Sequence, residues 1–196
     1  MNPGKLRTRG TLLRLSGGSD LIWAESAGLW MQIKETGKKN LFSKVGIGSD
    51  GVEITLRKRD ISLHDAILWR RQHYFLTNIS EEGSAPVYLK IQAARVPATM
   101  VTVTRSGVTR DELGRPEETA EKIGSFPGCI TEKYLGSEEE PSHFESETRL
   151  VVVSPKAAAY QTGDVFEFGG AAYRVMVVHE LESWKNEYEV KRVEDD

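Results

Sequence analysis

The side chains with the most reactive chemistry are one thiol and four imidazoles, and their spacing assembles neither a catalytic nor a metal site. The histidines are His64, His73, His143 and His179. None stands at the short spacing that brings two ligands to one metal, and those at 73 and 179 are interpreted as structural histidines beside strands. Cys129 is the only cysteine, which excludes an internal disulfide and a multi-cysteine zinc site. It follows Phe126-Pro127-Gly128 in a predicted strand, so a small buried apolar side chain is favoured over a nucleophile.

Motifs for covalent or cofactor chemistry are absent from the sequence. It contains no Gly-x-Ser-x-Gly elbow and no phosphate-binding Gly-Lys-Ser/Thr loop. Gly46-x-Gly48-x-x-Gly51 matches the dinucleotide pattern in letters, but it lies in a polar loop before a strand, so we reject it as a cofactor site. The sequence therefore predicts no catalytic residue, no cofactor-binding residue and no metal ligand, and we expect a protein that is not an enzyme.

Charged side chains in two polar loops are the better candidates for a function in binding. The basic set, in loop 36–51, is Lys38, Lys39 and Lys44; the acidic set, in loop 135–148, is Glu138, Glu139 and Glu140. Loops of this length in small domains are usually functional or mobile. We expect both loops to contact a partner rather than a substrate.

The two halves of the chain carry opposite net charge. Residues 1–98 contain 15 Lys and Arg against 9 Asp and Glu, a net +6, whereas the remainder has 11 against 20, a net −9. Two interpretations stay open: the basic half meets an acidic partner or nucleic acid, or the difference is ordinary surface variation. The tryptophans could stack bases, but no basic stripe interleaves with them in the sequence, so core and edge packing is favoured.

Composition indicates a soluble globular protein. Of the 196 residues 39% are hydrophobic and 28% charged, and the mean hydropathy is −0.41. No apolar run is long enough for a spanning helix, and the polar start lacks the apolar core of a signal peptide. With a single cysteine, these features predict a reducing cytoplasm.

An internal repeat predicts the domain organisation. A shift of 99 positions lays Val52-Glu53-Ile54-Thr55 over Val151-Val152-Val153-Ser154, and Tyr74 to Ile79 over Tyr173 to Val178. The same shift places Leu89 and Ile91 over Tyr188 and Val190. The aligned segments are short and rich in β-branched and aromatic residues, so each copy is predicted to be mainly β. We predict two tandem small β-barrels or sandwiches related by duplication, spanning residues 1–98 and 99–196.

The repeat also resolves an ambiguous segment. Phe168-Gly169-Gly170-Ala171 is typical of a tight turn, because glycine adopts positive φ at little cost. Arg70-Arg71 occupies the same place in the first copy, which predicts a hairpin there rather than a helix over residues 62–75. Asp65 and Asp164 are also equivalent; they could act as paired acids, but capping of a turn is favoured.

An ordered series of short segments runs through the first 95 residues: Met1 to Arg7, the first strand from Thr11, Trp23-Ala24, Leu29 to Ile33, Leu41-Phe42-Ser43, Val52 to Arg57, Asp60-Ile61, the hairpin Ile67 to Ile79 and Leu89-Lys90-Ile91. In this order the segments resemble the head-closure or head–tail adaptor family of phage connector proteins. The resemblance implies a small β-barrel that assembles as a ring between portal and tail, with a long loop towards the DNA channel. The second copy departs from the usual single-domain length of that family.

The resemblance implies partners and locations for this chain, which could be encoded by a phage or a prophage. The partners would be other copies of the chain, portal and tail proteins, and DNA that passes through without sequence-specific binding. The location would be the bacterial cytoplasm during assembly and then the head–tail junction of the virion. We hypothesise that Lys38, Lys39 and Lys44 contact a neighbouring subunit or DNA, and that Arg7 and Arg9 help an N-terminal arm to dock. The alternative is a tandem β-barrel module that binds a peptide or an oligonucleotide.

Overall fold

The computed structural model describes residues 3–39, 49–82, 87–110, 114–134, 148–181 and 185–193. Within them the chain is almost entirely β-strand, with one short 3-10 turn at Pro3–Lys5 and no α-helix. The first six strands are β1 (Thr8–Ser16), β2 (Ile22–Lys39), β3 (Ser49–Arg57), β4 (Ala66–Trp69), β5 (Gln72–Glu82) and β6 (Tyr88–Val96). The last six are β7 (Ala98–Arg110), β8 (Pro116–Tyr134), β9 (Thr148–Pro155), β10 (Val165–Phe168), β11 (Ala171–Leu181) and β12 (Lys185–Arg192).

The twelve strands form two closed six-stranded barrels with the same strand order. The first follows β1-β2-β3-β6-β5-β4 and closes where Leu12 on β1 pairs with Ile67 on β4. The second follows β7-β8-β9-β12-β11-β10 and closes where Val103 on β7 pairs with Phe166 on β10. Closure leaves neither sheet with a free edge. The predicted fold class of two duplicated small β-barrels is confirmed.

The hairpin at the centre of the repeat obeys the 99-residue shift. Strands β4 and β5 turn at Arg70 and Arg71, whose φ values are 51° and 63°, and β10 and β11 turn at Gly169 and Gly170, at 60° and 76°. Two successive residues at positive φ are what a two-residue hairpin turn of type I′ requires. The predicted hairpin is confirmed, although arginine is sterically unsuited to this conformation.

The last strand of each barrel does not obey that shift. Ile79 pairs with Ile91 and its counterpart Val178 pairs with Tyr188, so Ile91 rather than Leu89 is equivalent to Tyr188. The connection before β12 is two residues shorter than the one before β6. The alignment of the last strand was therefore wrong by two residues. Because side chains alternate between faces, a two-residue slip still keeps apolar residues inside.

The cores of the two barrels differ in the type of side chain that fills them. The first has a largely aliphatic core, with Met31, Ile54, Leu76 and Ile91 fully buried. The second centres on an aromatic cluster of Phe126, Tyr160, Phe166 and Tyr188, with ring centroids 5.1–6.5 Å apart. The Tyr188 hydroxyl donates to the Ala158 carbonyl at 2.6 Å, which satisfies a polar atom inside this core.

The predicted polar loop 36–51 was wrong at its ends, where the structure continues the strands. β2 runs to Lys39 and β3 starts at Ser49, with a bulge near Gly37, so part of loop 36–51 is paired sheet. Strands β7 and β8 also carry polar sequence at their facing ends, where residues 106–110 and 116–117 are exposed. A ribbon exposed on both faces has no alternation of apolar residues for sequence analysis to detect.

The chain divides into two compact units. One comprises Met1–Ser16 with Ile22–Ala98, and the other Gly17–Leu21 with Thr99–Asp196. Within the second unit the Leu21 amide donates to the Ser125 carbonyl at 2.8 Å, and the Ser125 hydroxyl donates to Asp20 at 2.8 Å. A search of the described residues for a helix long and apolar enough to cross a membrane finds none.

Candidate functional site

The first barrel carries a groove lined in part by basic side chains, which we call the Trp30 groove. Its volume is about 480 Å³. The lining residues are Leu6, Gly28, Leu29, Trp30, Leu56, Arg57, Lys58 and Arg59. They come from three places that antiparallel pairing brings together: the approach to β1, the middle of β2, and the end of β3 with the residues that follow it.

Strand alternation decides which side chains face the groove. Leu29 and Met31 on β2 point into the barrel and are 3% and 0% exposed, so Trp30 between them must point outward. Its side chain is 56% exposed, an unusual position for a large aromatic ring. Leu56 on β3 is likewise buried, and the chain emerges from the sheet directly after it through three exposed basic residues, Arg57, Lys58 and Arg59.

A guanidinium group covers the exposed tryptophan. Arg9 on β1 pairs with Trp30 on β2, and its guanidinium carbon lies 5.1 Å from the centre of the ring. A cation–π contact at an exposed site is worth about 0.5–1 kcal/mol. Arg9, hypothesised from the sequence to help docking, therefore contacts the exposed ring that lines the Trp30 groove. Arg7 lies just before it, with its Nε atom donating to the Gly4 carbonyl at 2.8 Å.

The Trp30 groove is suited to binding an anion rather than to covalent chemistry. Arg57, Lys58 and Arg59 line it, Arg9 covers the ring of Trp30, and none of the lining residues is acidic. Arg59 donates to the Gly28 carbonyl at 3.3 Å, which ties the segment after β3 to β2. Lys58 forms an ion pair with Glu81 on the exposed surface. The guanidinium groups can bind carboxylates or phosphates through two hydrogen bonds each, and the exposed ring can pack against an apolar side chain or a base. The groove therefore suits either an acidic chain segment with an apolar side chain or a nucleic-acid strand.

A second arginine–tryptophan pair lies in the β4–β5 turn. The Arg70 guanidinium carbon is 4.5 Å from the centre of the Trp69 ring. Arg71 next to it is exposed and makes no hydrogen bond or ion pair within the described part of the chain. The turn thus exposes two arginine side chains, although both residues adopt positive φ, a backbone conformation that disfavours any residue with a Cβ atom.

The loop residues predicted from the sequence lie mostly beyond the described ranges. Lys38 and Lys39 end β2, where they pair with Asp50 and Ser49 of β3, but their side chains are not among those described. Lys44 and the acidic set Glu138, Glu139 and Glu140 fall entirely outside the described residues. Their suggested roles stay predictions.

The two aspartates are turn caps, as the sequence favoured. The Asp65 carboxylate accepts the Ser62 amide at 2.8 Å, and Asp164 accepts the Gln161 amide at 2.9 Å, 99 residues later in both cases. In each turn the Asp amide also donates back to the carbonyl of that same residue at 3.2 Å. Each carboxylate is committed to its own turn rather than to a shared acid–base site.

The remaining reactive side chains are buried or paired. Cys129 on β8 is 4% exposed, and burial raises the pKa of its thiol to about 12, as expected of a packing residue rather than a nucleophile. His73 stacks on Trp23 at 5.8 Å, and burial lowers its pKa. His179 lies 2.9 Å from a carboxylate oxygen of Glu189. Among the residues that the structure describes, no group of three or more His, Cys, Asp and Glu side chains could hold a metal ion.

Sequence reasoning missed the Trp30 groove. The sequence favoured core and edge packing for the tryptophans, whereas Trp30 is 56% exposed and Arg9, on the paired strand, covers its ring. One signal was present: the run Arg57-Lys58-Arg59 directly after a β-rich segment. Its relation to Trp30 depends on strand register.

Comparison with known proteins finds no relative. No protein-family model matches the chain, and neither a curated protein nor a solved structure is significantly similar to it.

Proposed function

We propose that this chain is a non-enzymatic structural protein of the phage or prophage head–tail connector type, which assembles as a ring between portal and tail. The observation that carries the proposal is the pair of small closed barrels with the same strand order, each with a long hairpin between its second and third strands. The likeness of residues 1–95 to the head-closure family supports it from the sequence side.

The interior of the first barrel favours a role in assembly over one in small-molecule binding. Met31, Ile54, Leu76 and Ile91 fill it and are fully buried, so the barrel is a packed core rather than a ligand cavity. Binding must then use the outer wall, the turns and the hairpins, which are the parts that a ring subunit presents to its neighbours. The opposite charge of the two halves supplies complementary surfaces.

In this role the chain acts on no substrate and needs no cofactor. It would be made in the bacterial cytoplasm and incorporated at the head–tail junction, contacting portal and tail proteins. DNA would pass through the ring without sequence-specific contacts, because tight phosphate binding would retard its passage.

Deletion of the gene from a phage or lysogen that encodes it tests the proposal. We expect electron micrographs of the lysate to show separate heads and tails, and complementation with the wild-type chain to restore joined particles. Infectious virions of normal yield and morphology from the deletion strain would overturn the proposal.

The second candidate is a tandem β-barrel module that binds an oligonucleotide or a peptide, and the Trp30 groove favours it. An exposed aromatic ring among four basic side chains is how many single-strand-binding surfaces are built. Oligonucleotide binding by the purified chain that weakens steeply with added salt, together with no assembly defect on deletion, would favour this candidate.

A further inference from the structure

We propose that the Trp30 groove binds the acidic segment 135–147 of a second copy of the chain, head to tail. The inference rests on the proposed function, because it names a contact through which the copies would assemble. The groove lies in one unit of the chain and the acidic segment belongs to the other.

Part of the positive charge at the Trp30 groove is not neutralised within the described part of the chain. Lys58 is paired with Glu81, but the side chains of Arg9 and Arg57 make no hydrogen bond or ion pair with any described residue, and the Arg9 guanidinium lies over the Trp30 ring. A guanidinium carries five donors, so most of the hydrogen-bonding capacity of these two side chains is available. Arginine binds carboxylates in a two-pronged geometry, which makes glutamate side chains suitable partners.

The acidic segment has the composition that such a groove would select. Residues 135–147 contain five glutamates, no lysine or arginine, and one aromatic residue, Phe144. A ring 56% exposed and already covered on one side by Arg9 offers Phe144 an aromatic contact. The flanking residues Tyr134 and Thr148 pair with each other, and a 13-residue connection can extend at most about 20 Å from them.

Charge favours a second copy over nucleic acid as the occupant. The chain has a net charge of −3, and its second half carries −9, so the net charge of the whole chain disfavours association with a polyanion such as a nucleic acid. A second copy brings its −9 half to the +6 half instead. Because the two contacting surfaces differ, the contact is heterologous, and repetition of such a contact closes into a ring when the rotation permits.

A synthetic peptide of residues 135–147 tests the contact directly. We would titrate it, fluorescently labelled, onto full-length chain carrying Glu138→Gln, Glu139→Gln and Glu140→Gln, so that the chain's own segment competes less. We expect salt-sensitive binding that Arg57→Glu with Arg59→Glu weakens at least about tenfold. The matched control, Arg174→Glu with Lys191→Glu on exposed sites of β11 and β12, should stay within about twofold of the parent.

A charge swap tests the same contact between whole chains. A groove variant (Arg57→Glu, Arg59→Glu) and a segment variant (Glu138→Lys, Glu139→Lys, Glu140→Lys) should each fail to self-associate in low salt, and their equimolar mixture should regain association. Sedimentation velocity of each variant and of the mixture would measure this.

Several outcomes would overturn the inference. The first is that the peptide does not bind at millimolar concentration, and the second is that the control variant weakens peptide binding as much as the groove variant does. The third is that the mixture of the two charge-swap variants does not regain association. The fourth is that the chain's own acidic segment occupies its own groove, in an intramolecular contact that dilution does not reverse. Tight binding of a 20-nucleotide single strand to the groove without peptide binding would also overturn it. If the groove variant still forms joined virions, the inference fails while the proposed function stands; if deletion of the gene leaves virions intact, the proposed function fails whatever the peptide does.

Discussion

Arg105 and Asp164 form a two-pronged ion pair that the first barrel does not reproduce. Nε and Nη2 of Arg105 donate to the two carboxylate oxygens at 2.6 and 2.8 Å, and Asp164 is 1% exposed. At the equivalent position of the first barrel Arg14 turns away and pairs with Asp60, which leaves Asp65 with backbone donors alone. Both copies of the turn thus keep a capping aspartate, but Asp164 is bound by an arginine side chain as well as a backbone amide, whereas Asp65 is bound by backbone amides alone.

This difference predicts unequal effects of removing the two arginines. Arg105→Met leaves a buried carboxylate with one amide donor, so we expect a loss of about 1–2 kcal/mol of unfolding free energy, since the Arg105 side chain is itself partly exposed. Arg14→Met removes only an exposed pair and should cost about 0–1 kcal/mol. Urea denaturation of both variants measures the difference, and equal losses would contradict it.

The Arg70-Arg71 turn predicts a stabilising substitution. Both residues adopt positive φ, which costs an L-amino acid about 1 kcal/mol or more at each position. Arg70→Asn with Arg71→Gly supplies the residues that a type I′ turn prefers, and it gives up the weak stacking of Arg70 on Trp69. We expect a net gain of about 1–2 kcal/mol in the unfolding free energy of the first barrel.

The second barrel provides the matched control for that turn. A Cβ added at Gly169 or Gly170 would meet no atom within 4 Å, so any cost of Gly169→Arg with Gly170→Arg must come from the backbone conformation. We expect this reverse substitution to destabilise the second barrel by a similar amount. A thermal or urea unfolding midpoint that does not move in either variant would show that the positive φ values carry no strain.

The hairpin also shows what the sequence could and could not predict. Arg70-Arg71 has no turn signal of its own, and only the equivalent Gly169-Gly170 identified it. The repeat failed at the last strand, where a shorter connection shifts Tyr188 to the position of Ile91. A constant shift of 99 residues therefore predicted the order of the strands but not the residue-by-residue alignment of the last strand.

The candidate site was less predictable than the fold. Alternation along β2 could have placed Trp30 outside, because Leu29 and Met31 flank it. That Arg9 covers it depends on the β1–β2 register, which a bulge between Leu12 and Leu13 displaces, and a single sequence does not encode that bulge in a readable pattern. The charged loops drew attention because they are long, whereas the groove is built from single residues on separate strands.

The basic loop predicts a defect that is separate from the groove. Charge reversal by Lys38→Glu, Lys39→Glu and Lys44→Glu should reduce the yield of joined particles or their retention of DNA, because it would turn the proposed attraction of these lysines to a neighbouring subunit or to DNA into repulsion. Plaque titre and the DNA content of purified particles measure it. Arg174→Glu, Lys191→Glu and Arg192→Glu, on exposed sites of the second barrel, serve as the control for the same added negative charge. Unchanged assembly and DNA retention in the triple variant would refute a role for these lysines.

Cys129 predicts a loss of stability in alkaline solution. Burial raises the pKa of its thiol to about 12 in the folded chain, against 9.0 for an exposed thiol. The unfolded chain therefore ionises first, and the unfolding free energy is unaffected below pH 9 and falls as the pH rises from 9 towards 12. The slope from one such group is at most about 1.4 kcal/mol per pH unit.

Tyr160 and Tyr188 add to this effect only at higher pH. Burial raises the pKa of both phenols above the usual 10.0, and that of Tyr160 to about 12. Their contributions to the unfolding free energy therefore begin to fall only above pH 10. Cys129→Ala should consequently flatten the decline between pH 9 and 10 while the decline above pH 10 persists, because the two phenols remain. Urea denaturation at half-unit steps from pH 8 to about 10.5 would resolve the two stages. Alkylation of native Cys129 by iodoacetamide at pH 8, at a rate near that of the unfolded chain, would contradict the burial on which this prediction depends.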